Sequence, residues 1–258
     1  MSAGTLEPGM IDISASKRPT MARMVAVEIR KMTDTRAGLW LLLAIAIITV
    51  AVNTLFLIFS NDDLPFLAFL QFSAMPQGIL LPVLAVLLVT QEWGQRTGLV
   101  SFALVPDRSR VIVAKLAAAT LFVIAAYLVA LVIAAVLTPI AGADDPWEDV
   151  SGPYLLRVLL ALLIGGLWGF AFGLALLNSA FAIVAYFAVP MVVSIVTAIW
   201  TAAQDKLLWF DLSTSSSQLF DPSSVSGEQW AQVGTGVLIW IVLPMVIGWM
   251  RVQKAEIK

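Results

Sequence analysis

The chain contains no cysteine and no histidine. Without cysteine there is no disulfide framework and no thiolate metal site. Without histidine, most zinc sites, haem ligation, histidine-based nucleophilic catalysis and histidine proton relays fall away. Charge is scarce too. Charged residues make up 12% of the 258 positions, against about 25% in a soluble domain. Hydrophobic residues make up 60%, where about 45–50% is usual. That leaves too little polar surface to cover a water-facing globule of this size. The composition describes one bundle of membrane spans.

Other absences narrow the chemistry. No G-x-x-x-x-G-K-[ST] loop is present, so this chain does not split ATP through a P-loop, and energy for uphill movement must come from another polypeptide. There is no G-x-S-x-G elbow. No ionisable residue lies well inside a hydrophobic run, which argues against a proton-driven antiporter, because such machines place carboxylates or histidines within the bilayer. No metal ligands and no catalytic group stand out, and an intramembrane enzyme is the least supported class.

What is present reads as an all-α membrane protein. Residues 1–19 are Pro-, Ser- and Gly-rich without the apolar core of a signal peptide, and read as a disordered tail. Residues 20–37 read as an amphipathic interfacial helix. At 100° per residue Met21, Val25, Ile29 and Met32 share one side, with Arg23, Arg30 and Asp34 opposite. Residues 38–250 hold six runs long enough to cross a hydrocarbon core that needs about 20 residues. They fall at about 39–59, 66–90, 114–138, 155–177, 180–200 and 233–250, with Asn178-Ser179 as the turn that divides the longest uncharged stretch. Residues 251–258 form a tail.

The charges orient the bundle. Of the 15 Lys and Arg, 13 fall in the N-terminal segment, the loop after span two and the C-terminal tail, while Arg157 and Lys206 lie on the other face. By the positive-inside rule both termini and the loop after span two are cytoplasmic. The opposite loops carry Asp62, Asp63, Asp144, Asp145, Glu148, Asp149, Asp205, Asp211, Asp221 and Glu228. The segment 201–229 forms an outer cap, whose run Ser213–Ser217 reads as flexible linker.

The loop after span two is the most informative segment. Gln91 to Lys115 includes Glu92, Arg96, Thr97, Pro106, Arg108 and Arg110. It is too polar to be embedded and too short for a domain. A short helix stopped by Pro106, then a turn into span three, would present a rigid basic knob to a soluble partner. An ordinary positive-inside connector accounts for the same charges equally well.

The run Glu92-x-x-x-x-Thr97-Gly98, followed by Leu104-x-Pro106-x-x-x-Arg110 and Lys115, resembles the segment after the second span of ABC-2-type transporter permeases. Members of that family typically show a Glu, then Gly-Thr, then a Pro with Ser-Arg and a Lys opening span three. Here the middle pair reads Thr97-Gly98. The N-terminal pattern Glu28-x-x-Lys31-x-x-x-x-Arg36-x-x-x-Trp40 is similar to the family as well, as are the six spans, the short turn between spans four and five and the outer segment before span six. The resemblance implies the transmembrane half of an exporter in a bacterial plasma membrane. Two such halves, identical or different, would pair with cytoplasmic ATPase subunits that hold ATP and Mg. It further implies that Glu92, Arg96, Thr97, Pro106, Arg108 and Arg110 contact the ATPase, with Glu92 paired to a basic neighbour or to the N-terminal helix.

Two further patterns bear on the path. Gly165, Gly169 and Gly173 form a small-residue stripe at i, i+4, i+8 on span four, which lets helices approach closely. Packing inside the bundle is the simpler reading, and pairing between subunits the functional one. Thr49, Asn53 and Phe56 share a face of span one, Gln71 and Met75 a face of span two, and Ser194, Thr197 and Thr201 a face of span five. They line a substrate path or bond across helices. A path with amides, hydroxyls, aromatics and methionine but no fixed charge suits an amphipathic cargo: a drug, an antibiotic or a lipid-like molecule. The competing classes are an ATP-independent channel or carrier and a non-transporting immunity or accessory membrane protein.

Overall fold

The computed structural model describes residues 19–60, 64–94, 107–200, 202 and 204–254. Among these the chain is mostly helical with no strand, and six helices are long and apolar enough to cross a membrane. The tail before residue 19, Arg96, Thr97, Pro106, Thr201 and the last four residues lie outside the described residues.

Helix α1 (Met21–Asp34) starts at Thr20, whose side chain accepts from the Arg23 N–H at 3.3 Å, satisfying one of the first turn's orphan donors. Thr35 then does two jobs. Its hydroxyl donates to the Met32 carbonyl and accepts from the Gly38 N–H at 3.2 Å, so it closes α1 and caps α2 (Arg36–Phe59). Gly38 sits in the crook between them, where a Cβ would run into the Met32 carbonyl. The inward stripe of α1 is Met24, Glu28 and Met32, all buried, with Met21, Val25 and Ile29 half-buried beside it and Arg23, Arg30 and Asp34 exposed. Packing thus takes a stripe rotated from the expected one, and protein covers it: Met24 meets Val111 and Ala114, while Met32 joins the main core. The physical reason is Glu28, whose carboxylate finds cationic partners inside the bundle.

Helices α3 (Phe66–Gly94) and α5 (Gly152–Leu176) form the centre, with α4 (Arg108–Ala141), α2 and α6 (Ser179–Ile199) around them. The most apolar stretches of α3 and α5 are 61% and 67% buried, against 17% in α2 and 11% in α6; the outer pair therefore leaves most of its apolar surface uncovered by this chain. The α3–α5 contact is tight because Gly169 meets the backbone of Pro82, where a Cβ would collide, and Gly173 lies against Val86. The turn expected at Asn178-Ser179 is present. Leu177 adopts the left-handed conformation (φ 53°), and Asn178 Oδ1 accepts from the Phe181 N–H at 3.1 Å to start α6.

Between α6 and the last span lie α7 (Gln204–Leu207), α8 (Leu212–Ser217) and a 3₁₀ turn, Gln218–Phe220. The serine run is thus helical, not an open linker. Asp211 caps it by accepting from the N–H and hydroxyl of Thr214 at 3.0 and 2.8 Å, and Leu212 and Leu219 are 1% and 0% exposed. Those two leucines, seven apart, are anchors that a serine-rich composition conceals. The last span, from Gly227 to Lys254, starts with a reciprocal cap between Ser226 and Gln229. It comprises α9 (Gly227–Val237), a π-helical turn (Leu238–Val242) and α10 (Leu243–Lys254). Pro244 has no N–H to give to the carbonyl four residues back, and the wider turn precedes it. This span runs past residue 250, so the tail from 251 to 254 continues the helix.

Candidate functional site

Four ionisable residues meet at the end of the bundle where α1 begins beside the last turn of α10. Glu28 comes from α1, Lys31 lies one turn later, Glu92 sits in the last turn of α3, and Lys115 stands in the second turn of α4. Lys115 Nζ reaches Glu28 at 2.6 Å and Glu92 at 3.3 Å; Lys31 Nζ reaches Glu28 at 2.7 Å and Glu92 at 2.5 Å. Lys115 also donates to the Leu88 carbonyl at 3.2 Å. Glu28, Glu92 and Lys115 are each no more than 5% exposed.

Two carboxylates and two ammonium groups make a closed, neutral square. Each charge removed from water has two opposite charges against it, which is what makes burial of ions tolerable at all. Burial alone pulls the Lys31 ammonium down, but the hydrogen bonds and charges of Glu28 and Glu92 outweigh it and hold the group above the ordinary lysine value. Among the described residues no three of His, Cys, Asp and Glu gather into a metal site.

The square fastens three elements on both sides of residues 95–106. Glu92 lies just before them and Lys115 just after them, and both bind α1. Glu92, expected to find a basic neighbour or the N-terminal helix, does both. The start of α4 carries further ties. Arg110 donates to the Pro19 carbonyl at 2.6 Å. Arg108 donates to the Val252 and Gln253 carbonyls at 2.6 and 3.1 Å, and Gln253 Nε2 donates to Ser109 Oγ at 2.8 Å. The Val252 and Gln253 carbonyls belong to the last turn of α10, where a helix leaves acceptors open. Arg251 donates in turn to the Ala175 carbonyl at the end of α5.

Of the residues expected to touch an ATPase, the structure brings Glu92, Arg108 and Arg110 to this one end, while Arg96, Thr97 and Pro106 lie outside the described residues. Glu28, Lys31 and Lys115 complete the site, and sequence reasoning did not single them out as a cluster. A signal was available for Glu28: it shares the i, i+4 stripe of Met24 and Met32, a carboxylate on the side that α1 buries.

The polar residues expected along a path fall in separate places. Thr49 and Asn53 are buried between α2 and α3. The Thr49 hydroxyl donates to the Ile45 carbonyl at 2.6 Å, and Asn53 Nδ2 donates to the Thr49 carbonyl and to Ser73 Oγ, both at 2.8 Å. Phe56 stacks on Phe72 with ring centroids 3.5 Å apart. Gln71 Nε2 donates to the Tyr154 hydroxyl and the Phe220 carbonyl, whereas Met75 is exposed. Ser194 reaches Asp211 at 3.4 Å, and Thr197 donates to the Val193 carbonyl. Thr201 is outside the described residues. The donors of these groups bond within the chain, while Asn53 Oδ1 has no partner among the described residues. Gly165, Gly169 and Gly173 likewise face α3 of the same chain.

No protein-family model matches the chain, and no curated protein is recognisably similar to it.

Proposed function

We propose that this chain is the transmembrane subunit of an exporter powered by a separate ATPase, moving an amphipathic cargo. The observation that carries the reading is the ion-pair square of Glu28, Lys31, Glu92 and Lys115. A loop that receives a push needs stiff mounting at both ends, and ion pairs buried against α1 provide it. Closure of an ATPase pair against the loop would then move α1, the end of α3 and the start of α4 as one body. The resemblance to ABC-2-type permeases and the six apolar helices support the same reading. On this proposal the square's end of the bundle is cytoplasmic, in a bacterial plasma membrane, and the chain pairs with a second permease subunit. ATP and Mg sit on the partner, and Arg96, Thr97, Pro106, Arg108 and Arg110 touch it. Arg110→Glu reverses a charge beside the loop.

The test is reconstitution. An ATPase with a P-loop should purify with the tagged chain, and liposomes holding both should move an amphipathic reporter only with ATP. Arg110→Glu should leave the chain folded and abolish ATP-driven movement. Transport by this chain alone without ATP would establish a channel or carrier instead. An assembly that hydrolyses no ATP and moves nothing would point to an accessory protein.

A further inference from the structure

Arg157 stands in the second turn of α5, half-buried, and forms no ion pair among the described residues. Two carbonyls hold it instead. Nη1 donates to Ser223 at 2.6 Å and Nη2 to Pro222 at 3.1 Å. The guanidinium also lies 5.4 Å from the centroid of the Tyr154 ring. Asp221 is exposed and accepts from the Ser223 N–H at 2.8 Å. Its hydrogen bonds with Ser223 lower its carboxyl below the usual range, and the Arg157 charge adds a smaller share. A guanidinium carries five N–H donors, so these two carbonyls fix its place and leave most of the fork, and the whole charge, to spare.

Arg157 belongs to the wall of an open groove of about 590 Å³ between the start of α5 and residues 222–230. Leu156, Leu160 and Trp230 share that wall, and all three are exposed. Leu156 and Leu160 are one turn apart and make an apolar strip along α5. Trp230 lies in the first turn of α9. In helices that cross a bilayer the first turn sits near headgroup depth, where tryptophan and arginine settle. The strip then leads from the headgroups into the hydrocarbon. A free anion would leave the leucines bare, and a plain hydrocarbon would leave the guanidinium without a counter-charge. A phosphate carried on an acyl chain satisfies both halves, because its oxygens match the planar arginine fork.

We propose that this groove holds one phospholipid, with its phosphate on Arg157 and an acyl chain along Leu156 and Leu160 beside Trp230. The proposal needs the spans to cross a bilayer and holds whether or not the chain couples to an ATPase.

The experiment titrates the full chain in neutral detergent and counts bound lipids by native mass spectrometry. The probes are dioleoyl phosphatidylcholine and dioleoylglycerol, which lacks the phosphate. Both are neutral overall, so net charge draws neither to the basic residues elsewhere. The first phosphatidylcholine should bind about tenfold tighter than the first dioleoylglycerol, the scale of charge-assisted hydrogen bonds. Arg157→Gln should remove that preference. Leu160→Trp leaves both Arg157 bonds in place, fills the groove, and should weaken phosphatidylcholine by a similar factor. Equimolar inorganic phosphate should not displace the lipid. The proposal is overturned by equal binding of the two lipids, by a preference that survives Arg157→Gln, by phosphatidylcholine binding that Leu160→Trp leaves unchanged, or by displacement with inorganic phosphate, which would mark a site for the anion alone.

Discussion

Glu28 and Lys115 stand 87 positions apart in sequence and form a 2.6 Å ion pair with each side chain only 5% exposed. Removing one partner leaves a buried charge facing an unbalanced square. Lys115→Leu should therefore lower stability by about 3 kcal/mol, the usual scale for breaking a buried pair. Glu28→Leu combined with Lys115→Leu restores neutrality and should lose less than Lys115→Leu alone. Unfolding in mixed micelles reads both. A double variant weaker than the single would sink this account.

Lys31 gives the square a dependence on pH. Its folded value is raised by Glu28 and Glu92. A raised value means stability fully present below the ordinary lysine pKa of 10.5 and lost as pH climbs through the folded one. Thermal midpoints should fall more steeply above pH 10.5 in the parent than in Lys31→Met. Parallel curves would show that Lys31 contributes nothing to the dependence.

Gly169 and Gly165 belong to one stripe yet meet different surroundings. A Cβ at Gly169 would collide with the Pro82 backbone, while one at Gly165 would make ordinary contacts with the Pro82 ring and Tyr186 at 3.7 and 3.8 Å. Gly165→Ala should be nearly neutral. Gly169→Ala should force α3 and α5 apart and cost about 1–3 kcal/mol, as overpacking does. The comparison of folded yield and thermal midpoint distinguishes them, and equal effects would contradict the close approach.

The fully buried Tyr154 fastens the 3₁₀ turn at Gln218–Phe220. Its hydroxyl accepts from Gln71 Nε2 and donates to the Phe220 carbonyl, both at 3.0 Å. Tyr154→Phe should lose about 1 kcal/mol and raise amide exchange around Gln218–Phe220. Unchanged exchange there would show that Leu219 alone holds the turn.

Much of the architecture was legible in the residues. Hydrophobic runs set the spans, because a helix must be apolar over its whole length to stay in hydrocarbon, and the helices fall within a few residues of the stretches that the runs mark, save the longer third and last spans. The turn at Asn178 was visible because Asn favours caps. The helical serine run was not: Leu212 and Leu219 become anchors only when a second core forms around them. The rotated stripe of α1 was hidden for a related reason, since periodicity ranks Glu28 as polar and cannot see that cations wait for it.

For the site the division is sharper. Glu92, Arg108 and Arg110 stood out because they border one basic loop, a local fact. Glu28 and Lys115 meet only through the packing of α1 on α4, so their pairing has no trace in spacing. The polar residues of the spans show the opposite limit: helical spacing set them on shared faces, but which face met protein depended on neighbours. Composition by itself determined a helical bundle with six helices long and apolar enough to cross a membrane, because burial and solvation act residue by residue. Tertiary structure alone decided which charges cancel and which amide stays unpaired, because hydrogen bonds and ion pairs depend on atoms that the chain brings together from afar.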